Sequence, residues 1–452
     1  MALRERLDAI NNGLPQTTIG KISNGFMGNK TYQQLRSRIH RKLLDHVDLV
    51  EMESLSPDLL RQELKILVEQ LLDKEGVAIN DAERIRVVSD IQHEVLGFGP
   101  LETLMADAEV SDILVNTYQQ IYVERKGKLE LTEVRFANEA HLLKIIDKIV
   151  SGVGRSIDES SPMVDARLPD GSRVNAIIPP LAVDGAILSI RRFASIPLHM
   201  KDLLDTKSLT PEMAELLEGL VKAKVNLLIS GGTGTGKTTL LNVLSGYISE
   251  DERIITIEDA AELQLQQPHT VRLEIRPPNI EGSGEVTPRM LVRNSLRMRP
   301  DRIILGEIRG GEVIDMLQAM NTGHDGSMAT VHANSPRDAL TRLESMACMA
   351  GYNLPEKAIR QQISSALGAV IHVTRLSDGK RKITNINEIT GMEGNTITMQ
   401  DIFIFEQTGL AEDGRVIGHF KATGIRPSFV DRLRVCGIYV SDDLFDPARL
   451  YE

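Results

Sequence analysis

Nine residues, Gly231-Gly232-Thr233-Gly234-Thr235-Gly236-Lys237-Thr238-Thr239, constrain this chain more than any others. They match the phosphate-binding loop G-x-x-x-x-G-K-[ST], and their context fits it. The apolar run 225–229 predicts a strand entering the loop, and residues 239–244 predict a helix leaving it. Glycines let the backbone wrap close to a phosphate, with N–H groups turned inward and a helix start that favours negative charge. Lys237 then reaches the β- and γ-phosphates of ATP, and the Thr238 hydroxyl a Mg2+ ion. Further apolar runs at 254–257, 302–305 and 370–373 alternate with helical stretches, the α/β pattern of a sheet flanked by helices.

Several residues beyond the loop carry chemistry. Ile257-Glu258-Asp259 sets two acids at a strand's carboxyl end, 21 residues after Lys237. Acids placed there suit metal or water handling, with Glu258 reaching the metal through water; a solvated acidic pair is the other reading. In most nucleotide-loop enzymes an aspartate follows the third apolar run and holds the metal. Here Gly306 takes that place and Glu307 comes next, where a carboxylate polarises the attacking water. The stretch from Gly323 to Asn334 places His324 and His332 eight apart. That is not the three-to-five spacing of a zinc pair, and cysteines are absent. A strand ending at Val331 aims His332 and Asn334 at the γ-phosphate, or His332 is structural. Arg173 in Gly-Ser-Arg-Val-Asn and Arg191 in Ser-Ile-Arg-Arg-Phe lie well before the loop. Phosphoryl transfer benefits from an arginine delivered from elsewhere; ordinary surface salt bridges are the alternative. Arg192, one residue on, points to the opposite face from Arg191 if the segment is a strand.

The 452 residues predict two to four domains. Residues 1–80 read as a flexible N-terminus and a helical docking bundle. Their first 45 residues carry eight Lys/Arg against three acids, and Gly, Asn and Thr crowd residues 11–31. Leu35, Ile39, Leu43 and Val47, then Leu60, Leu64, Leu67 and Leu71 after Pro57, repeat at helical spacing. Residues 81–200 read as a small α+β domain, with a helix at 85–95, another at 142–150, and strands at 113–115, 121–124, 174–178 and 187–190. Residues 201–452 hold the loop. A net charge of −11, nine Phe, seven Tyr and no Trp argue against a nucleic-acid translocase. Cys348 and Cys436, 88 residues apart, build neither a zinc ribbon nor a disulfide framework. The charged start and the lack of a long apolar run predict a cytoplasmic protein with peripheral membrane contact only. Leu244-Ser245-Gly246-Tyr247 does not complete the signature of an ABC-type transport ATPase.

Together these elements resemble the secretion ATPase superfamily that drives type II and type IV secretion and type IV pili. The cues are the loop, the aspartate box around Ile257-Glu258-Asp259, Leu305-Gly306-Glu307-Ile308-Arg309, and the histidine box from Gly323 to Asn334. Gly97-Phe98-Gly99-Pro100-Leu101, Arg167-Leu168-Pro169-Asp170-Gly171-Ser172-Arg173-Val174-Asn175, Thr390-Gly391-Met392-Glu393-Gly394, Gln400-Asp401-Ile402-Phe403 and Thr423-Gly424-Ile425-Arg426-Pro427 look like the CpaF type, the motor of tight-adherence (Flp) pili. The resemblance implies a RecA-like motor domain behind a smaller α+β domain, assembled as a cytoplasmic homohexamer. It also implies docking on inner-membrane platform proteins and ATP hydrolysis coupled to pilin extraction. It assigns Glu307, Glu258, His332, Arg173 and Arg191 to catalysis. Type II secretion and type IVa pilus motors usually carry a tetracysteine zinc module, which this chain lacks. The short conjugation-type secretion ATPases are therefore the alternative.

Overall fold

The computed structural model describes residues 29–46, 56–76, 79–125, 127–192, 198–276, 278, 283–351 and 354–451. Residues 1–28 and Val47, part of the N-terminal reading above, lie outside them. The chain divides into two compact units, Met1–Phe193 and Ala194–Glu452.

In the first unit, three helices bury one apolar face each. Asn29–His46 contributes Leu35, Ile39 and Leu43, Pro57–Glu75 contributes Leu64 and Val68, and Asp81–Leu96 contributes Val87 and Ile91, all to one cluster. The helical layer thus runs on to Leu96. Pro57 opens the second helix, where its missing N–H costs nothing. Asn80 and Glu83 close a reciprocal cap at the start of the third. At that helix's far end, the half-buried Lys148 brings its ammonium to the carbonyls of Glu94, Val95 and Gly97, at 3.2, 2.8 and 2.7 Å.

Six strands follow: β1 Val110–Thr117, β2 Gln120–Arg125, β3 Lys128–Leu131, β4 Met163–Arg167, β5 Arg173–Ile177 and β6 Ile187–Arg191. They form one antiparallel sheet in the order β3-β2-β1-β6-β5-β4. The helix Glu139–Ser151 lays Leu142, Ile145, Ile146 and Ile149 on its apolar face. Strands β3 and β4 escape the sequence reading because they are edges. β3 is exposed along its whole length, so no buried alternation marks it.

In the second unit, β7 Leu227–Gly231, β8 Ile254–Glu258, β9 Thr270–Glu274, β10 Arg302–Ile308, β11 Met328–His332 and β12 Ala369–Arg375 run parallel in the order β12-β7-β11-β10-β8-β9. Leu227 and Ile229 enter one core and Leu228 the other, so the sheet is covered on both faces. Four antiparallel strands continue beyond β12: β13 Arg381–Glu393, β14 Thr396–Leu410, β15 Val416–Ala422 and β16 Leu450–Tyr451. This extension was not read from the sequence, since polar residues interrupt its apolar positions. The architecture is an α/β, RecA-like unit behind a smaller α+β unit with helices at its N-terminal end.

Candidate nucleotide site

Strand β7 lies between β12 and β11. Parallel strands end together, so the loop after Gly231 opens at the same edge as Glu258, Glu307 and His332. The loop leads into the helix Lys237–Ser245, whose cap residue Gly236 sits at φ +98°, in the left-handed region that favours glycine. The Lys237 ammonium folds back to the Gly232 carbonyl at 2.8 Å, and Thr235 Oγ1 donates to the same oxygen at 3.0 Å. Both bonds keep the loop wound around its centre.

Lys237 also lies 3.4 Å from His332. His332 Nε2 is 3.1 Å from Glu307 Oε1, and Glu307 Oε2 accepts from Arg309 at 2.9 Å. Arg309 pairs in turn with Asp259 at 2.6 Å. Lysine, histidine, glutamate, arginine and aspartate form one connected chain of charge. Burial and the Lys237 ammonium hold His332 below the usual imidazole range. Burial alone would raise Glu307, but the Arg309 bond and the charges of Arg309, His332 and Lys237 outweigh it and hold the carboxyl below its ordinary value.

Glu258 contrasts with Glu307. It is buried, and burial pushes its carboxyl above the ordinary range, the N–H groups of Leu263 and Glu262 recovering only part of that. Both bond Oε2, at 2.9 and 2.8 Å, and Oε1 is buried with no hydrogen-bond partner among the described residues. An orphaned buried carboxylate oxygen beside a phosphate loop fits a metal ion or its water. Thr238 and Glu258 would hold Mg2+, which spreads the charge of the phosphates when bound.

The departure at Gly306 has a steric cause. A Cβ there would lie 2.9 Å from Glu258 Cγ. Glu258 fills the space that an aspartate on β10 would need. The glycine is pinned by Thr330 Oγ1, which donates to its carbonyl at 2.6 Å.

Sequence reasoning missed Arg309 as a bridge, although a basic residue two positions after a site glutamate was a signal. His372, also missed, is buried on β12, with Nδ1 2.8 Å from Ser230 Oγ. In the first unit, Arg173 and Arg191 stand directly opposite each other on β5 and β6, with Arg167 opposite Arg173 on β4. Facing residues of antiparallel strands share a face, so three arginines form one row. Arg192 instead turns to the chain below, its Nη1 donating to the carbonyls of Asp107 and of Val110, the latter at 3.1 Å.

The second unit is a phosphate-loop, RecA-like unit with acids and a histidine grouped at the loop. The chain belongs to the type II/IV secretion system protein family, which it matches over residues 94–413. Residues 32–96 match the N-terminal domain of type II secretion system protein E. A putative conjugal transfer protein of Mycobacterium tuberculosis is 38% identical over 322 residues, 70% of this chain and 91% of that protein. The type IV secretion system protein VirB11 of Bartonella henselae is 32% identical, over 64% of this chain and 90% of that one. The crystal structure of the VirB11 ATPase from the Brucella suis type IV secretion system is 30% identical, over 64% of this chain and 94% of that one, with a TM-score of 0.35. Among the described residues, no helix is long and apolar enough to cross a membrane.

Proposed function

We propose that this chain is a Mg2+-dependent ATP hydrolase that works as a cytoplasmic ring of six subunits and powers a tight-adherence-type pilus, acting on pilin through inner-membrane platform proteins. The observation that carries the ATPase reading is the unbroken chain Lys237–His332–Glu307 at the phosphate loop. The loop holds ATP through the N–H groups of Gly232 to Thr239 and the Lys237 ammonium. Glu258 or Glu307 takes the proton of the attacking water, and His332 reads the γ-phosphate. Arg173 and Arg191 bring positive charge to the developing phosphoryl oxygens. The pilus cargo is supported by the motifs at 97–101, 167–175, 390–394 and 423–427. A conjugation-type motor is the second reading, favoured by the conjugal transfer relative that this chain spans over 91% of its length.

Paired binding and turnover assays test the enzyme. Lys237→Ala should lose ATP binding or turnover, because the phosphates lose their charge partner, and Glu307→Gln should bind ATP and hydrolyse it slowly. Turnover near wild type in Glu307→Gln moves the base to Glu258. Light scattering with a non-hydrolysable analogue tests the ring, and a persistent monomer would sink the motor reading. A prepilin gene beside two platform genes favours the pilus; conjugation genes there favour the second reading.

A further inference from the structure

Strand β12 runs parallel to β7 with Val373 level with Gly231. The chain that continues past Val373 therefore passes beside the phosphate loop. The approach is close: a Cβ on Gly231 would lie 2.3 Å from the Val373 carbonyl oxygen. The chain turns at 376–380, where the Leu376 N–H donates to the Lys380 carbonyl at 2.7 Å, and returns as β13 with Arg381 opposite Arg375. Asp378 stiffens this turn. Its Oδ1 accepts from the Lys380 N–H at 3.0 Å and its Oδ2 from the Val416 N–H at 3.1 Å, tying the turn to the first residue of β15. From this braced position the stem of Arg381 crosses Gly236, its Cδ 3.3 Å from where a Cβ would stand. Its Nε then donates to the Gly234 carbonyl at 3.0 Å.

We infer that Arg381 is a positioning residue for the phosphate loop, making the C-terminal strand extension a working wall of the nucleotide site. A trans peptide puts a carbonyl and the following N–H on opposite sides of the C–N bond. Holding the Gly234 carbonyl toward Arg381 turns the Thr235 N–H the other way, into the cradle where a phosphate sits. Gly234, at φ +69°, and Gly236 give this stretch wide backbone freedom, so an unpinned loop must be ordered by the ligand itself. Arg381 removes part of that cost before ATP arrives. The bond spans 147 positions of sequence, which is why the motif alone does not reveal it. This inference rests on the loop binding ATP.

The test measures Mg2+-dependent binding of a fluorescent methylanthraniloyl-ATP to the full chain, for wild type, Arg381→Ala and Arg381→Lys. Lysine keeps the charge but places its Cε methylene where arginine carries Nε–H, so it separates the bond from the charge. Both variants should bind about three- to tenfold more weakly, the range expected for one lost hydrogen bond. The ratio to wild type should not change with added salt, which would screen a direct attraction to phosphate. The KM for ATP should rise by the same factor, and the melting midpoint without nucleotide should hold, since Arg381 is exposed. Wild-type affinity in Arg381→Ala overturns the inference. Wild-type affinity in Arg381→Lys, or a ratio that closes with salt, overturns it in favour of simple charge attraction. Wild-type protein that binds no analogue removes the ATP reading, and the inference with it; binding that the variants leave untouched removes the inference alone.

Discussion

Glu258 and Glu307 are two carboxylates at one loop with opposite environments. Burial raises Glu258, while Arg309 and its neighbours overcome burial to lower Glu307. Glu258 binds its proton more tightly in the folded chain than the ordinary 4.5, so folded protein holds more protons than unfolded protein above that pH. Its contribution to stability is full below pH 4.5 and is lost as pH rises through the raised value. Glutamine carries no such loss. Glu258→Gln should therefore melt higher than wild type at neutral pH without nucleotide, with the gap closing toward pH 4.5, and turnover should fall on the order of 10²-fold. A gap independent of pH would deny the buried charge. Gly306→Ala probes the same carboxylate from below. The added methyl meets Glu258 Cγ at 2.9 Å, a main stem atom that cannot swing aside. Turnover should drop about tenfold from the displaced carboxylate, with a stability cost of about 1–3 kcal/mol. Unchanged kcat would show that Glu258 tolerates displacement.

At the scale of elements, strand β10 is anchored at its start by a buried ion pair. Arg302, 1% exposed, makes two bonds of 2.8 Å to Glu252 and reaches the carbonyls of Val221 and Gly326. Lys224 adds a second cation to Glu252 at 3.0 Å. Such a pair adds little over apolar packing, but removing one partner strands the other charge. Arg302→Met should cost about 3 kcal/mol, the low end for such a loss because Lys224 remains. Glu252→Gln in the same background should recover part of it. Denaturant midpoints of the two single variants and the double variant decide the matter, and simple additivity would rule out coupling. The anchor matters to the site because β10 carries Glu307 five residues further along.

At the scale of the molecule, Arg173 and Arg191 belong to the first compact unit and the phosphate loop to the second. The proposed role of these arginines makes turnover depend on residues outside the unit that carries the loop. Arg191→Ala and Arg173→Ala should each leave ATP affinity within a few-fold and cut turnover on the order of 10²-fold, less than a lone arginine finger because the load is shared. Arg192 is no neutral control, since its side chain holds the Asp107 and Val110 carbonyls. If both alanine variants turn over at the wild-type rate, these arginines do not deliver catalytic charge.

The sequence alone determined the local parts. A glycine-rich loop after an apolar run, acids after two further runs, and a histidine after a fourth are short-range patterns. β7, β8, β10, β11 and the helix after the loop follow from them, with ends shifted by at most three residues. Edge strands β3 and β4 and the β13–β16 extension lacked that signal, because an exposed or half-polar strand is specified by its neighbours rather than by its own periodicity. Only the tertiary structure decided which side chains meet. Strand order is a long-range property: β12 lies beside β7 although 142 positions separate Ser230 from His372. The Arg381 bond to the loop, the Arg309 bridge between two acids and the Glu258 carboxylate above Gly306 all depend on that order. Chemistry-bearing residue types are local facts of composition and spacing. Their charges, burial and partners are set by packing, and packing is what the chain reaches only when folded.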